Sequence, residues 1–225
     1  MALLNLTSLC LANCIVTGVT GMVLLFMRRQ HADMRGVGCW AVGQAAYAVG
    51  FLLLLRVDGD PGPHAALPGF FCIFTGSLLT SFGLLRFLQA AGTRARRILA
   101  GTASMVWLLL LMAALVWDRP GPVLTLMPAI QVLVSVTNIV MLWQYGQGAL
   151  RPPAIALAFV FWLWTLFCLM RLGFILAMGP DTGAAMNTLP AAVLAATLVL
   201  TCHALGLVWL VVGRMQQHLL AQALT

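Results

Sequence analysis

Seven long apolar runs separated by short polar segments constrain this chain more than any other feature of its sequence. An α-helix rises about 1.5 Å per residue, so each run is long enough to cross about 30 Å of hydrocarbon. Because 62% of the 225 residues are hydrophobic and 8% are charged, the chain has too few polar residues to cover a soluble domain. We therefore predict an all-α membrane protein with seven transmembrane helices. The predicted spans are Leu3–Met27, Gly36–Leu55, Gly69–Gly92, Ile98–Trp117, Val123–Gly146, Ala154–Gly179 and Ala191–Gly213.

The charged residues predict the orientation of these helices. The first, third and fifth predicted loops hold Arg28, Arg29, Arg35, Arg94, Arg96, Arg97 and Arg151. The second, fourth and sixth hold Asp58, Asp60, Asp118 and Asp181, with Arg56 and Arg119 nearby. Positive residues concentrate on the cytoplasmic side of a membrane. We therefore expect the N-terminus outside and the C-terminus in the cytoplasm. Trp40 and Trp117 lie near predicted span ends, where an interfacial aromatic belt would place them.

Several functions are excluded by composition. The net charge is +7, but the arginines are scattered among short loops, so no nucleic-acid partner is expected. The chain has no lysine for a retinal Schiff base, and its predicted spans hold no Asp or Glu for a proton relay. No motif places a nucleophile beside a base and an orienting acid. We expect this chain not to be an enzyme by itself.

A single arginine, Arg171, interrupts the sixth span within "CLMRLGF" (168–174). It lies about eight residues, or roughly 12 Å, from the predicted outer end of that span. A charge at this depth costs on the order of 3 kcal/mol. Two interpretations stay open: the side chain snorkels to the loop aspartates and lipid headgroups, or it receives an anionic ligand from outside or from the outer leaflet.

Other polar residues lie at a similar predicted depth. Each alone is explained by hydrogen bonding between helices. Together with Arg171 they predict a cavity with one cationic end and apolar walls. Such a cavity suits a small amphiphilic molecule with a carboxylate or phosphate head and a lipid-like tail. These candidate ligand-binding residues are Asn13, Tyr47, Thr75, Ser77, Gln131 and Thr197.

A metal or haem site is a weaker alternative. Cys10 and Cys14 in "CLANC" share a helical face, and His203 lies near the middle of the seventh span. Thiolates and imidazole suit copper or zinc, but this ligand set is incomplete for a structural site. We therefore predict no metal and no other cofactor for this chain.

The last segment, "GRMQQHLLAQALT", leaves the seventh span without a further Pro or Gly, and its residues are mostly good helix formers. Val212, Met215 and Leu219 are spaced by three and four residues, as on one face of a coiled coil. We predict that residues 1–213 form the transmembrane domain and that residues 214–225 form a cytoplasmic signalling helix or linker.

Four features carry a resemblance to a known family: "CWAVG" (39–43), "SFGLLRF" (81–87), the lone Arg171 and the exit "HLLAQALT" (218–225). The chain resembles the N-terminal membrane sensor regions of bacterial GGDEF-type diguanylate cyclases over essentially its whole length. In those proteins a similar exit leads directly into D-x-L-T-G-L-x-N-R, the start of the cyclase domain. Arg86 and Arg171 match recurrent arginines of such regions.

The resemblance implies a multi-pass sensor in the bacterial inner membrane, in contact with membrane lipid, that acts as a homodimer. It implies a cyclase domain after Thr225 that makes cyclic di-GMP from two GTP with Mg²⁺; none of its catalytic positions exist in this sequence. Ligand binding would shift the seventh helix and change how two cyclase domains face each other. A different output domain, a small seven-helix transporter and a metal- or haem-linked redox sensor stay alternatives.

Overall fold

The computed structural model describes residues 6–31, 34–55, 66–88, 93–116, 120–179 and 188–223. Within these ranges the chain is helical and contains no strand, so the prediction of an all-α protein is confirmed. A short 3₁₀ helix, Gly148–Leu150, precedes the sixth of seven long helices. These are α1 (Leu6–Gln30), α2 (Val37–Leu54), α3 (Leu67–Phe87), α4 (Thr93–Val116), α5 (Pro120–Tyr145), α6 (Arg151–Met178) and α7 (Leu189–Ala223).

Six of the helices in the described ranges are long and apolar enough to cross a membrane: α1, α2, α3, α5, α6 and α7. They support the predicted multi-pass membrane protein. The remaining helix, α4, has 24 residues, which corresponds to about 36 Å. It begins in an arginine-rich segment, and its side chains are described only from residue 96 to residue 112. That α4 is a seventh span stays a prediction.

Several helices extend beyond the apolar runs into arginine-containing segments. The first helix continues through Arg28 and Arg29 to Gln30, and α4 begins at Thr93 rather than at the predicted Ile98. Arginine is a good helix former, and a helix in water does not need an apolar surface. The apolar runs therefore predict the membrane-crossing part of a helix better than its ends.

The seven helices form a closed ring in chain order. Each packs against its neighbours in the sequence, α1 packs against α7, and α3 also contacts α5. The odd-numbered helices begin at one end of the bundle, here called the N-end. The opposite end, where α7 continues as the tail, is the C-end. Large apolar side chains on the outside of the ring are exposed, among them Leu11, Phe159 and Leu205, as expected for a surface in contact with lipid.

A close helix–helix contact joins α2 and α3 through glycines spaced seven residues apart. A Cβ atom at Gly50 would lie 2.8 Å from the carbonyl oxygen of Gly69, and a Cβ atom at Gly69 would lie 2.9 Å from that of Gly50. Small residues let membrane helices approach at backbone distance. The contact repeats along the helix pair with Gly36, Gly43, Gly76 and Gly83.

Trp40 is a core residue, so its assignment to an aromatic belt is wrong. Its side chain has 0% exposure, its Nε1 donates to the carbonyl oxygen of Thr80 at 3.2 Å, and its ring lies 4.9 Å from that of Phe87. Proximity to a span end does not show which way a helical side chain points. Trp143, also near a helix end, is 72% exposed and has the position expected of a belt residue. Trp117 lies outside the described residues.

The interior of the ring has two apolar clusters with polar side chains between them. The N-end cluster includes Tyr47, Phe74 and Ile130, and the C-end cluster includes Trp40 and Leu157. Every helix contributes at least one buried polar side chain to the region between them, which we call the polar band. It contains Thr17, Gln44, Thr80, Ser81, Thr102, Ser135, Thr137, Asn138, Thr165 and His203.

Candidate functional site

A cavity of about 120 Å³ lies inside the ring, bounded by α2, α3, α5, α6 and α7. Each of these five helices contributes one lining residue nearest the N-end and one nearest the C-end, and these form two sets. The first set, the rim, is Leu54, Phe70, Met127, Arg171 and Leu189. The second set, the floor, is Tyr47, Thr80, Asn138, Phe161 and His203. The ten residues between Phe161 and Arg171 correspond to about 15 Å along α6, so the cavity leads from the N-end into the polar band.

Four of the predicted ligand-binding residues line this cavity: Tyr47, Ser77, Gln131 and Arg171. Tyr47 Oη and Ser77 Oγ are 2.8 Å apart, and Ser77 Oγ donates to the carbonyl oxygen of Ile73 at 3.2 Å. Because the serine hydroxyl has one proton, it accepts the hydrogen bond from Tyr47. Gln131 Oε1 accepts from Trp164 Nε1 at 3.4 Å and so joins α5 to α6.

Arg171 is half-buried at the rim, with hydrogen-bond partners already in place. Its Nε donates to Thr188 Oγ1 at 3.1 Å, and both residues make additional interactions. Thr188 immediately precedes α7, so the guanidinium links α6 to the start of α7. The four aspartates that were predicted to approach Arg171 lie outside the described residues: Asp58, Asp60, Asp118 and Asp181. The snorkelling interpretation therefore stays a prediction.

The other three predicted ligand-binding residues do not line the cavity. Asn13 Nδ2 donates to the carbonyl oxygens of Leu9 and Val193, each at 3.2 Å, which holds α1 against α7. The hydroxyls of Thr75 and Thr197 donate to backbone carbonyls one turn earlier in their own helices, at 2.8 and 2.9 Å. Their predicted place in the site rests on depth alone. Successive helical side chains point about 100° apart, so equal depth does not bring them to one surface.

Sequence reasoning missed three of the five floor residues, Thr80, Asn138 and Phe161. It considered His203 only as a hydrogen-bonding or metal-ligating group. His203 is buried, and its ring centroid lies 5.4 Å from that of Phe161. A usable signal was present in α5, where Gln131, Ser135 and Asn138 have the spacing of one helical face. All three line the cavity.

Cys10, Cys14 and His203 do not form a common metal site. The hydrogen bond from Asn13 to the Val193 carbonyl oxygen joins α1 to α7. It places Cys10 and Cys14, which flank Asn13, at about the same depth in the bundle as Val193. His203 lies ten residues, or about 15 Å, farther along α7. Zinc–ligand distances are only about 2.0–2.3 Å. No group of three or more His, Cys, Asp or Glu side chains that could hold a metal occurs in the part of the chain that the structure describes.

The predicted signalling residues lie on an uninterrupted helix, since α7 continues to Ala223. Val212 and Leu219 are exposed, with 38% and 64% of their surface accessible, whereas Met215 packs against the C-end cluster. Arg214 lies over the Phe87 ring at 5.9 Å. The first part of the tail is therefore in contact with the bundle.

A second cavity, of about 350 Å³, lies at the C-end between α5 and α6. Its polar lining residues Gln147 and Arg151 are exposed, as is Trp143. It is a surface groove without a buried polar group, whereas the central cavity reaches the polar band. The central cavity is therefore the better candidate for a specific ligand site.

Comparison with known proteins assigns no family to the chain. No family model, no curated protein and no solved structure matches it. The resemblance to sensor regions of diguanylate cyclases therefore stays a prediction based on the residues quoted above.

Proposed function

We propose that this chain is a sensory domain with seven transmembrane helices in the bacterial inner membrane. It binds a small amphiphilic or anionic ligand in the central cavity and regulates a cytoplasmic diguanylate cyclase domain attached after Thr225. The chain itself performs no catalysis in this proposal. GTP and Mg²⁺ are bound by the cyclase, and two copies of the protein bring their cyclase domains together.

The proposed orientation, with the N-terminus outside, is supported by the arginines at the C-end. Arg28 and Arg29 lie in the last turn of α1, Arg96 lies near the start of α4, and Arg151 begins α6. These positions meet at one end of the bundle because neighbouring helices alternate in direction. Clustered arginines mark the cytoplasmic end. With α4 as a seventh span, the N-end faces outward and the tail of α7 enters the cytoplasm.

The observation that carries the proposal is that one helix both lines the cavity and forms the tail. Seven residues of α7, from Leu189 at the rim to His203 at the floor, line the cavity. The same helix continues without interruption to Ala223. A ligand that favours one position of α7 therefore changes the position of the tail. The ligand can shift the equilibrium between two positions of α7 only by as much as its affinities for those two positions differ.

Arg171 connects ligand charge to the same helix. Its Nε already donates to Thr188 beside the start of α7, and its guanidinium carries a positive charge. An anionic group at the rim would accept hydrogen bonds from this side chain and change how it holds Thr188. The position of Arg171 therefore favours a ligand whose charged group stays at the rim of the cavity.

Two adjacent alanines provide a matched test. Ala192 lines the cavity, whereas Ala191 is exposed on the outside of the ring. We expect Ala192→Phe to occupy part of the cavity and change the rate of cyclic di-GMP formation by the full-length protein in nanodiscs at least several-fold. Ala191→Phe adds the same side chain toward lipid and should leave the rate unchanged. Equal rates for the two folded variants and the wild type would contradict the proposal.

A further inference from the structure

The floor of the cavity contains buried polar atoms without hydrogen-bond partners. Among the described residues, five buried side-chain N or O atoms lack a partner, and three of them belong to floor residues: Thr80 Oγ1, Asn138 Oδ1 and His203 Nε2. The other two, in Asn13 and Gln44, belong to residues that do not line the cavity. Buried polar groups are normally paired, and leaving them unpaired destabilises the fold. Thr80 Oγ1 also interacts with the neighbouring Tyr47 hydroxyl. The other two floor atoms, Asn138 Oδ1 and His203 Nε2, lie on two helices around one cavity and indicate a site for a polar group.

The space above these atoms is apolar and largely aromatic. Phe74, Phe161, Trp164 and Phe167 line the cavity, and Phe161 packs against the His203 ring. The volume, about 120 Å³, is close to that of an engineered cavity of about 150 Å³ in another protein that binds benzene. The cavity therefore fits a group of about the size of one aromatic ring.

The floor itself carries no charged side chain. Tyr47, Thr80, Asn138 and Phe161 do not ionise at neutral pH, and a buried His203 without an acidic neighbour among the described residues is neutral. An ion placed at the floor would therefore lack a counter-charge, which is costly in a bilayer. A neutral hydrogen-bonding group meets no such cost.

We infer that the floor binds the uncharged end of a ligand: an aromatic ring bearing a hydroxyl or N–H group that donates to Asn138 Oδ1. In the His203 tautomer that carries its proton on Nε2, a hydroxyl oxygen at this position also accepts a hydrogen bond from that nitrogen. The inference rests on the proposed function in taking the central cavity as the ligand site. It adds a requirement for a hydrogen-bond donor at the floor, distinct from the anion preference at the Arg171 rim.

Three compounds with the same ring test the donor requirement on the wild-type protein. 4-Fluorophenol can donate and accept, 4-fluoroanisole can only accept, and 4-fluorotoluene can do neither at that position. We would titrate each into nanodiscs containing the full-length protein and follow binding by ¹⁹F NMR, with empty nanodiscs as the reference for partition into lipid. We expect 4-fluorophenol to bind saturably at one site per chain and the other two to bind at least about tenfold more weakly.

A pair of variants on α5 locates the effect. Asn138→Leu removes the acceptor with little change in volume, and should reduce the affinity for 4-fluorophenol to that for 4-fluoroanisole, which cannot donate. Gln144→Leu removes an exposed amide from the same helix and should preserve the preference. If Asn138→Leu does not fold, the wild-type series still decides.

Equal affinity for the three compounds, no saturable binding of 4-fluorophenol, or an unchanged preference in Asn138→Leu would each overturn the inference. The proposed sensory function is tested separately by the cyclase rates of the Ala192→Phe and Ala191→Phe variants. A change confined to Ala192→Phe, together with failure of the phenol series, would reject the donor site and keep the sensory function.

Discussion

Gly43 on α2 and Gly76 on α3 face each other so closely that neither position has room for a side chain. A Cβ atom at Gly43 would lie 3.0 Å from the carbonyl oxygen of Gly76, and a Cβ atom at Gly76 would lie 2.8 Å from that of Gly43. The nearby Tyr47 and Ser77 are hydrogen-bonded across the same helix pair at 2.8 Å. The glycine contact therefore sets the geometry of the α2–α3 wall of the cavity.

The first prediction concerns this contact. Gly76→Ala forces α3 away from the α2 backbone, because the new methyl group meets a carbonyl oxygen rather than a movable side chain. We expect the free energy of unfolding in SDS titration to fall by about 1–3 kcal/mol. Gly18→Ala is the control, since no atom of another helix lies within 4 Å of a Cβ atom there. Equal stability of the two variants would show that α2 and α3 leave room for a methyl group at Gly76.

The second prediction tests Trp40 as a core residue. Trp40→Phe keeps an aromatic ring but removes the Nε1 donor to the Thr80 carbonyl oxygen. We expect a loss of about 1 kcal/mol in the free energy of unfolding, measured by the same titration. Trp143→Phe, at a position that is 72% exposed, should change it little. An aromatic-belt role for Trp40 predicts instead that both substitutions change it little.

The third prediction uses the parity of the spans. If α4 crosses the membrane, the chain has seven spans and its two termini lie on opposite sides. If α4 does not cross, the six remaining spans place both termini on the same side. We expect a short N-terminal epitope tag to be accessible to antibody in intact spheroplasts and a C-terminal tag to become accessible only after permeabilisation. Accessibility of both tags, or of neither, before permeabilisation would reject the seven-span topology.

The fourth prediction concerns transmission through the tail. An α-helix turns about 100° per residue, so one alanine inserted after Gln216 rotates everything beyond it by about 100°, while four inserted alanines leave a net rotation of about 40°. If the orientation of the tail sets the cyclase rate, inserting one alanine should change the rate of the full-length protein more than inserting four. A rate that follows only the length of the insertion would instead indicate a flexible linker.

The number and approximate positions of the helices could be predicted because long apolar runs have few alternatives to a helix in a bilayer. The predicted depth of a residue in the membrane does not show which helix faces are in contact. Tyr47, Ser77, Gln131 and Arg171 line one cavity, whereas Asn13, at a similar predicted depth, holds α1 against α7.

Two patterns in the sequence carried information about packing that depth does not contain. The glycines of α2 and α3 recur every seven residues, and Gln131, Ser135 and Asn138 have the spacing of one face of α5. Both patterns mark a helix face. Neither identifies the opposing helix, because that depends on how the closed ring brings together residues far apart in the sequence.

We propose above all that this helical bundle controls a diguanylate cyclase attached after Thr225. The most direct measurement is to determine the sequence of the native gene product beyond Thr225 and assay the purified full-length protein in nanodiscs with GTP and Mg²⁺. We predict a segment resembling D-x-L-T-G-L-x-N-R after the tail and formation of cyclic di-GMP at a rate that changes with Ala192→Phe. A native chain that ends at Thr225, or a full-length protein that forms no cyclic di-GMP, would contradict this proposal.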